Sequence, residues 1–156
     1  MKPRCVLLIT TSYPLVSDGS EAAGAFVADF ARALASIVQV RVVGPGRREE
    51  RDAVAPVPTW RFAAGHTPLS QLSPMKPWHW PRILAAVWSL QRQAKAAAAD
   101  GGVTHVHALW ILPSGWAARR VAKSLGVTYS VWALGSDIWT LGRLPIVRRL
   151  LGRIAR

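Results

Sequence analysis

The first part of the chain has two short, continuous apolar runs. Between them lies a segment in which apolar residues recur at the spacing of a helix. Cys5 to Thr10 is a β-prone apolar run without alternation, the pattern of a strand buried on both faces of a parallel sheet. Residues 11–24 are rich in Ser, Pro, Asp and Gly and predict a loop. Helical spacing predicts a helix after it, with these apolar positions on one face: Phe26, Val27, Phe30, Leu34 and Ile37. A second strand is predicted at Val38–Val43, closed by residues 44–46, which completes a βαβ unit.

The middle of the chain is less regular. Arg47–Asp52 is interpreted as a solvated charged turn, and Val57–Ala63 as a third strand weakened by Pro58. Residues 66–81 hold four prolines and predict an irregular loop. Arg82–Ala99 is predicted to be a helix that ends at Asp100-Gly101-Gly102. One side of this helix is expected to carry Ile83, Leu84, Val87, Trp88 and Leu90.

The last third returns to a clear alternation of strands and helices. Strands are predicted at Val103–Leu109 and Thr128–Ala133, with a helix at Pro113–Leu125 between them. A final helix is predicted from Pro145, with an apolar arc opposite an arginine-rich arc. Because the sequence stops inside this amphipathic helix, we expect that sequence is missing after Arg156.

This order of elements predicts an α/β fold, a Rossmann-like parallel sheet with helices on both faces. In such sheets ligands bind beyond the carboxyl ends of the strands. Loops 11–24, 109–115 and 134–142 are therefore the expected working surface.

Composition adds limits to this interpretation. The chain has 156 residues, 51% of them hydrophobic, which suits one packed domain. Its single cysteine, Cys5, is expected to be a buried structural thiol, and a zinc site at His105 and His107 lacks a third ligand, so no metal is expected. No signal peptide or membrane span is recognised, so a cytoplasmic protein is the simplest expectation.

The formal net charge is +12, and the second half of the chain is the more basic. Such a surface attracts nucleic acid, anionic lipid headgroups or phosphorylated substrates, and composition does not choose among them. Trp78, His79, Trp80 and Trp88 lie near several basic residues and could form a surface that sits against anionic lipid. The alternative is that Trp88 and its neighbours belong to the core.

Three features carry candidate chemistry, each with a structural alternative. Gly24, before the predicted first helix, could let an anion approach backbone amides, or it could be a packing or turn glycine. His107 lies near the carboxyl end of its strand and could contact a ligand, or it could be a satisfied core residue. The turn Gly135-Ser136-Asp137 could bind sugar hydroxyls, or Ser136 or Asp137 could cap the next segment.

Three segments together resemble the amino-terminal domain of the family 4 (group 1) GT-B glycosyltransferases. Tyr13-Pro14 with the residues from Gly24 to Leu34 is similar to the opening loop and first helix of that family. Residues 107–115, which read His-Ala-Leu-Trp-Ile-Leu-Pro-Ser-Gly, are similar to its second segment, and Leu134 to Ile138 to its His-Gly-Ser-Asp turn. The resemblance is weakest from Arg47 to Asp100.

The resemblance implies retaining transfer of a sugar from a nucleotide-sugar donor to a glycan or lipid-linked acceptor, in cell-envelope or polysaccharide synthesis, with no cofactor or metal. The amino-terminal domain would receive the acceptor, and a carboxyl-terminal domain or chain would hold the donor. Gly24 and Phe26 would line the loop near the donor phosphates and the acceptor. His107 and Trp110 would bind substrate, and Gly135, Ser136 and Asp137 would face the transferred sugar, with Asp137 the candidate catalytic residue.

Two leucines and a missing signature depart from the family. Leu134 and Leu109 stand where the family has histidine, and the Glu-x7-Glu signature of the donor domain is absent from the sequence. Residues 1–156 are therefore expected to be incomplete without a donor-binding domain. The alternative is a non-catalytic, membrane-associated or complex-forming subunit derived from this domain. A nucleic-acid-binding module is the third and least favoured hypothesis, because the sequence contains no recognised nucleic-acid-binding motif.

Overall fold

The computed structural model describes residues 4–15, 22–53, 55–65, 69, 72–73, 75–134, 152 and 154, the side chains of residues 22 and 23 excepted. Within them lies one six-stranded sheet with helices on both faces, so the Rossmann-like α/β prediction is confirmed. The strands are β1 Cys5–Ile9, β2 Gln39–Gly46, β3 Glu50–Asp52, β4 Thr59–Ala63, β5 Val103–Leu109 and β6 Thr128–Trp132. The helices are α1 Ala22–Ala35, α2 Trp80–Ala99 and α3 Trp116–Leu125.

The order of the strands across the sheet is β3-β4-β2-β1-β5-β6. Strands β1, β2, β4, β5 and β6 are parallel, and β3 pairs antiparallel with β4 at one edge. Strand β1 lies in the interior of the sheet and pairs with β2 on one side and β5 on the other. Its unbroken apolar sequence follows from this position, because both of its faces are covered by helices.

The two faces of the sheet have separate hydrophobic cores. Helix α1 packs on one face through Val27 and Ala31, against Leu8 and Val42 of the central strands. Helices α2 and α3 pack on the other face. They contact Leu7 and the other strand residues whose side chains point to that face. Cys5 is fully buried in β1, as expected for a structural thiol, and burial raises the pKa of that thiol although Arg41 opposes the shift.

Strand β2 is longer than the prediction of 38–43, because it continues through Gly44, Pro45 and Gly46. Beyond Val43 it has lost β1 as a neighbour and pairs only with β4. A proline is tolerated at such an unpaired edge because no ladder hydrogen bond is lost there.

The charged segment 47–52 is largely exposed to solvent, as predicted, but it is not simply a turn. Residues 50–52 form β3, and the carboxylate of Glu49 is only partly exposed. Ser89 Oγ donates to Glu49 Oε1 at 2.6 Å and Gln93 Nε2 to Oε2 at 3.0 Å, while Arg92 forms an ion pair with Oε2. These bonds join the start of β3 to the middle of α2, and the hydrogen bond from Ser89 is the main cause of a lowered pKa at Glu49.

Helix α2 begins at Trp80, two residues before the predicted start, and follows a 3-10 turn at Pro77–His79. The prediction that Leu84 and Trp88 share a side with Leu90 is wrong, because both are exposed while Leu90 is fully buried. At about 100° per residue, Trp88 lies roughly 160° from Leu90 around the helix, so one arc cannot hold both. The arc on the sheet is instead built largely from small residues: Ala86, Ser89, Leu90, Gln91, Ala94, Ala97 and Ala98.

Replacing Gly44 should destabilise the fold. A Cβ at this position would lie 2.8 Å from Cβ of Tyr13, a buried residue that cannot move freely. We expect Gly44→Ala to lower the free energy of unfolding by about 1–3 kcal/mol in urea titrations. Gly152→Ala is the control, because a Cβ there meets no atom within 4 Å. Equal stability of Gly44→Ala and the wild type would contradict the close packing of Tyr13.

Glu49→Gln should weaken the junction of β3 with α2. The lowered pKa means that the folded protein holds the Glu49 proton less tightly than the unfolded chain does. The stabilisation is therefore complete above the unfolded pKa and is lost as pH falls through the folded pKa. We expect a loss of about 1 kcal/mol at neutral pH for this partly exposed group.

Urea titrations at neutral pH and below pH 4.5 measure this difference between Glu49→Gln and the wild type. The difference should shrink as pH falls below 4.5 and through the lower pKa of the folded state, because the wild-type carboxylate then takes up a proton. Glu50→Gln, which removes a carboxylate on the exposed neighbour, is the matched control. A difference that is the same at both pH values would show that the charge of Glu49 does not contribute.

Candidate functional site

The candidate site lies at the carboxyl ends of β1 and β5, which are neighbours in the sheet. The chain leaves β1 for α1 on one face and leaves β5 for α3 on the other. The two connections diverge from adjacent strands, and this point of divergence is where open α/β sheets have a ligand-binding crevice. Residues 10–15 and 110–115 border it.

Residues 10–15, after β1, are held by buried contacts. The fully buried Thr10 hydroxyl accepts from the Ser12 N–H at 3.1 Å and donates to the Ser12 carbonyl at 2.9 Å. Arg61, only 2% exposed, donates to the carbonyls of Pro14 at 2.8 Å and Pro45 at 3.1 Å. Its guanidinium also lies 5.2 Å from the ring centre of Tyr13. A buried cation from β4 thus fixes this loop against the edge of the sheet.

Gly24 lies inside the first turn of α1, because the helix begins at Ala22 rather than after the glycine as predicted. A Cβ on Gly24 would lie 3.0 Å from N and 3.1 Å from Cδ of Pro14. The glycine therefore allows the helix start to approach loop 10–15 closely, which agrees with the packing interpretation. Binding of an anion at this helix start stays a prediction.

Trp110 and Phe26 meet where the connections that follow β1 and β5 diverge. Trp110 has a φ of 70°, a backbone conformation that costs a bulky residue about 1–3 kcal/mol. Its N–H donates to the Trp132 carbonyl at 2.9 Å and its carbonyl accepts from the Gly115 N–H at 3.1 Å. The indole contacts the Phe26 ring edge to face at 6.2 Å, and Phe26 is 41% exposed. The strained turn therefore directs an aromatic ring to a partly open surface.

His107 lies on the α1 side of the sheet within a group of aromatic and polar residues. Its ring contacts Phe30 at 5.9 Å and Trp132 at 4.9 Å. Ser130 Oγ lies 2.7 Å from His107 Nδ1 and 2.8 Å from His105 Nε2, so one hydroxyl bridges the two imidazoles. Burial lowers the pKa of both histidines, and the neighbouring His105 lowers that of His107 further. Both rings are thereby favoured in their neutral forms.

Unpartnered polar atoms also point to the end of β5. Among the residues that the structure describes, His107 Nε2 and Ser114 Oγ are buried without a hydrogen-bond partner, and the same holds for the amide of Gln91 in α2. Such atoms are rare in folded proteins because losing water without a replacement costs about 1–3 kcal/mol. Two of these three side chains belong to β5 or to the turn that follows it.

The structure brings together only some of the predicted site residues. Phe26 and Trp110 are in contact, Gly24 lies against Pro14, and His107 lies in β5, three residues before Trp110. Gly135, Ser136 and Asp137 lie outside the described residues, so the predicted sugar-facing turn stays a prediction, as does most of the final helix from Pro145.

Four residues at this edge were not predicted: Arg61, Phe30, Ser130 and Trp132. Arg61 was detectable as a charge between Trp60 and Phe62 in a buried strand. Ser130 could have been found from the parallel pairing of β6 with β5, which sets it opposite His107.

Leu109 and Leu134, which stand where the resembled family has histidine, pack against the core. Leu109 is fully buried in the core on the α1 side, and Leu134 is partly buried against that core. Neither side chain has a proton to transfer. Any chemistry at this edge therefore depends on other groups.

A hollow lies at the opposite edge of the sheet, near the start of β2. Residues 35, 38–41 and 56–58 line it. No group of three or more His, Cys, Asp or Glu residues that could hold a metal ion is found in the described part of the chain. No described helix is long and apolar enough to cross a membrane.

Comparison with known proteins finds similarity at the level of structure. No protein-family model and no curated protein matches the sequence. Seventeen chains of solved structures match. One is the UGT2 protein of Phytolacca americana complexed with UDP-2fluoro-glucose and pterostilbene, with a TM-score of 0.53 and 13% sequence identity. The match covers 96% of this chain and 35% of that one, so the present chain spans about a third of its neighbour. At this identity the likeness shows a shared fold.

The pH dependence of stability should reveal whether the His107 imidazole is buried in its neutral form. Its lowered pKa means that the unfolded chain binds the proton more readily than the folded protein does. Stability is therefore complete above the unfolded pKa, near 6.5, and falls as pH drops below it. We expect His107→Asn to show a smaller fall than the wild type in urea titrations from neutral pH into this range.

Thr104→Val, an exposed change on the same strand without a titrating group, should keep the wild-type fall. Because His105 also titrates with a lowered pKa, part of the fall should remain in His107→Asn. Identical pH profiles for His107→Asn and the wild type would contradict a buried neutral imidazole at this position.

Proposed function

We propose that residues 1–156 form the acceptor-side domain of a retaining GT-B glycosyltransferase. The enzyme would be of the hexosyltransferase class and family 4, and would act in cell-envelope or polysaccharide glycan synthesis. The divergence of the connections that follow β1 and β5, with the Phe26–Trp110 pair beside it, is the observation that carries the proposal. Its fold is shared along nearly the whole chain with a protein complexed with UDP-2fluoro-glucose and pterostilbene.

The described edge suits an acceptor better than a nucleotide. It offers aromatic rings, a bridged pair of neutral histidines and unpartnered polar atoms, a mixture typical of small-molecule sites. Its buried cation, Arg61, is engaged by two backbone carbonyls and supports loop 10–15. We assign His107, Trp110 and Phe26 to the acceptor, and Gly24 to the loop near the donor phosphates.

We propose that the donor half of the reaction is supplied by residues outside 1–156. A nucleotide sugar would bind to a carboxyl-terminal domain or to a separate chain, with no cofactor and no metal, and Gly135, Ser136 and Asp137 would face the transferred sugar. Catalysis of glycosyl transfer needs groups placed around the pyrophosphate that leaves. Residues 1–156 alone are therefore proposed to lack transfer activity. We place the protein in the cytoplasm, on the inner face of the membrane, with no nucleic-acid partner.

A non-catalytic subunit derived from this domain is the second candidate. The observation that favours it is the burial of Leu109 and Leu134 where the family has histidine. This candidate predicts no transfer under any conditions, even with a donor domain present.

Phe26→Ala should reduce sugar transfer without unfolding the domain. The ring is partly exposed, so its loss removes little packing but takes away one wall of the proposed acceptor site. We expect about a tenfold lower rate, because imperfect positioning of an acceptor slows transfer strongly. The assay measures radiolabelled sugar passed from UDP- and GDP-sugars to cell lipid and glycan extracts, with residues 1–156 joined to their donor-binding domain.

Ile37→Ala, an exposed apolar residue after the far end of α1, is the matched control and should keep the wild-type rate. Residues 1–156 alone should transfer nothing. Transfer by the isolated segment would contradict the assignment of the donor site to another domain, and full activity of Phe26→Ala would contradict the acceptor site. Absence of transfer by the joined protein would favour the non-catalytic subunit.

A further inference from the structure

A row of large apolar side chains is exposed near the start of α2. Trp78 is 71% exposed, Leu84 62% and Trp88 65%, and Trp80 and Met75 are exposed beside them. Trp80, Leu84 and Trp88 follow one another at a spacing of four residues, which sets them along one side of the helix. We name these five residues the aromatic ridge. Contiguous exposed apolar surface of this kind marks an interaction site in a folded protein.

The aromatic ridge projects beyond the sheet on the side of the candidate site. Ser89 accepts from the N–H of Ala63, the last residue of β4, at 2.8 Å, so the middle of α2 is level with the carboxyl end of that strand. At the other end of the helix, the Ala97 carbonyl accepts from Arg41 near the start of β2. The nine residues before Ser89 span about 13 Å of helix, and they extend past the carboxyl edge.

The surroundings of the ridge are basic. No Asp or Glu occurs from Ala53 to Ala99, a stretch that includes Lys76, Arg82, Arg92 and Lys95. All four side chains are exposed, and the residues lie in α2 or in the turn before it. The Arg92 guanidinium lies 4.9 Å from the ring centre of Trp88 and also pairs with Glu49, so a cation is fixed directly over the ridge.

We propose that the aromatic ridge docks on an anionic membrane surface. Tryptophan and leucine enter the boundary between headgroups and acyl chains, while lysine and arginine pair with anionic headgroups. A second copy of the chain fits this surface less well, because a symmetric contact would set two basic faces against each other. Docking by the ridge would bring the carboxyl edge of the sheet, with its crevice, towards the lipid surface. The proposal does not require that sugar transfer occurs.

The test is cosedimentation of the whole chain with lipid vesicles. We expect binding to phosphatidylcholine vesicles that contain phosphatidylglycerol, weaker binding as salt rises, and much weaker binding to phosphatidylcholine alone. The double variant Leu84→Gln with Trp88→Gln should bind about tenfold less tightly, because it removes two inserted apolar groups. Lys76→Gln with Lys95→Gln should also weaken binding, by roughly fivefold per charge.

Matched controls separate the ridge from general properties of the chain. Ile37→Gln with Leu125→Gln removes two exposed aliphatic residues elsewhere, and Arg119→Gln with Lys123→Gln removes two exposed charges on α3. Both controls should bind vesicles as the wild type does. Circular dichroism of each variant checks that it is folded, which is expected because every replaced side chain is exposed.

Three results would overturn the proposal. The first is no binding to vesicles with phosphatidylglycerol, and the second is equal binding to vesicles with and without it. The third is an equal loss of binding in the ridge variants and in their controls, which would indicate nonspecific attraction of a basic chain. A concentration-dependent dimer that Leu84→Gln with Trp88→Gln abolishes, without vesicle binding, would assign the ridge to a second copy instead.

Discussion

Parallel pairing of β1 with β5 in the interior of the sheet constrains most of what this domain presents to a ligand. The two strands lie side by side, yet the chain that follows β1 turns to one face and the chain that follows β5 turns to the other. A gap between the two connections follows from this divergence, whatever residues line it. Loop 10–15, the start of α1 and the turn after Leu109 are therefore placed at one edge by topology. Side-chain chemistry then decides what that edge can bind.

Close packing by small residues and one buried cation shapes this edge. Gly44 leaves room for Tyr13, Gly24 leaves room for Pro14, and Arg61 ties loop 10–15 to its surroundings through two carbonyls. The described chemistry is that of a binding surface: aromatic rings, histidines held neutral by burial, and polar atoms without partners. A group that could act as acid or base in sugar transfer is proposed only at Asp137, outside the described residues.

The sequence allowed the central strands and the helices to be predicted, because unbroken apolar runs and helical spacing are local signals. β1 and β5 agree with their predictions to within one residue. What was missed depends on contacts between distant segments. Strand β3 exists because Glu50–Asp52 finds β4 as a partner, and β2 is extended because β4 continues to pair with it. The buried arc of α2 was misassigned because small residues, which give a weak hydrophobic signal, face the sheet while Leu84 and Trp88 face outwards.

The candidate site was predicted in the same uneven way. Positions at the carboxyl ends of strands follow from the order of elements, so Gly24 and His107 could be named from sequence. Phe26 and Trp110 were named only through the family resemblance. The bridge from Ser130 to two histidines and the support from Arg61 needed the register of the sheet. The exposure of the tryptophans on α2 needed the orientation of that helix, which local sequence did not determine.

Hydrogen–deuterium exchange tests most directly whether the crevice between β1 and β5 is the working surface. The exchange of the domain would be compared with and without a mixture of UDP-sugars and glycolipid extract from cells that make the protein. The account predicts slower exchange at residues 10–15, 22–26 and 110–115, with no change at the hollow formed by residues 35, 38–41 and 56–58. Protection confined to that hollow, or to α3, would contradict it.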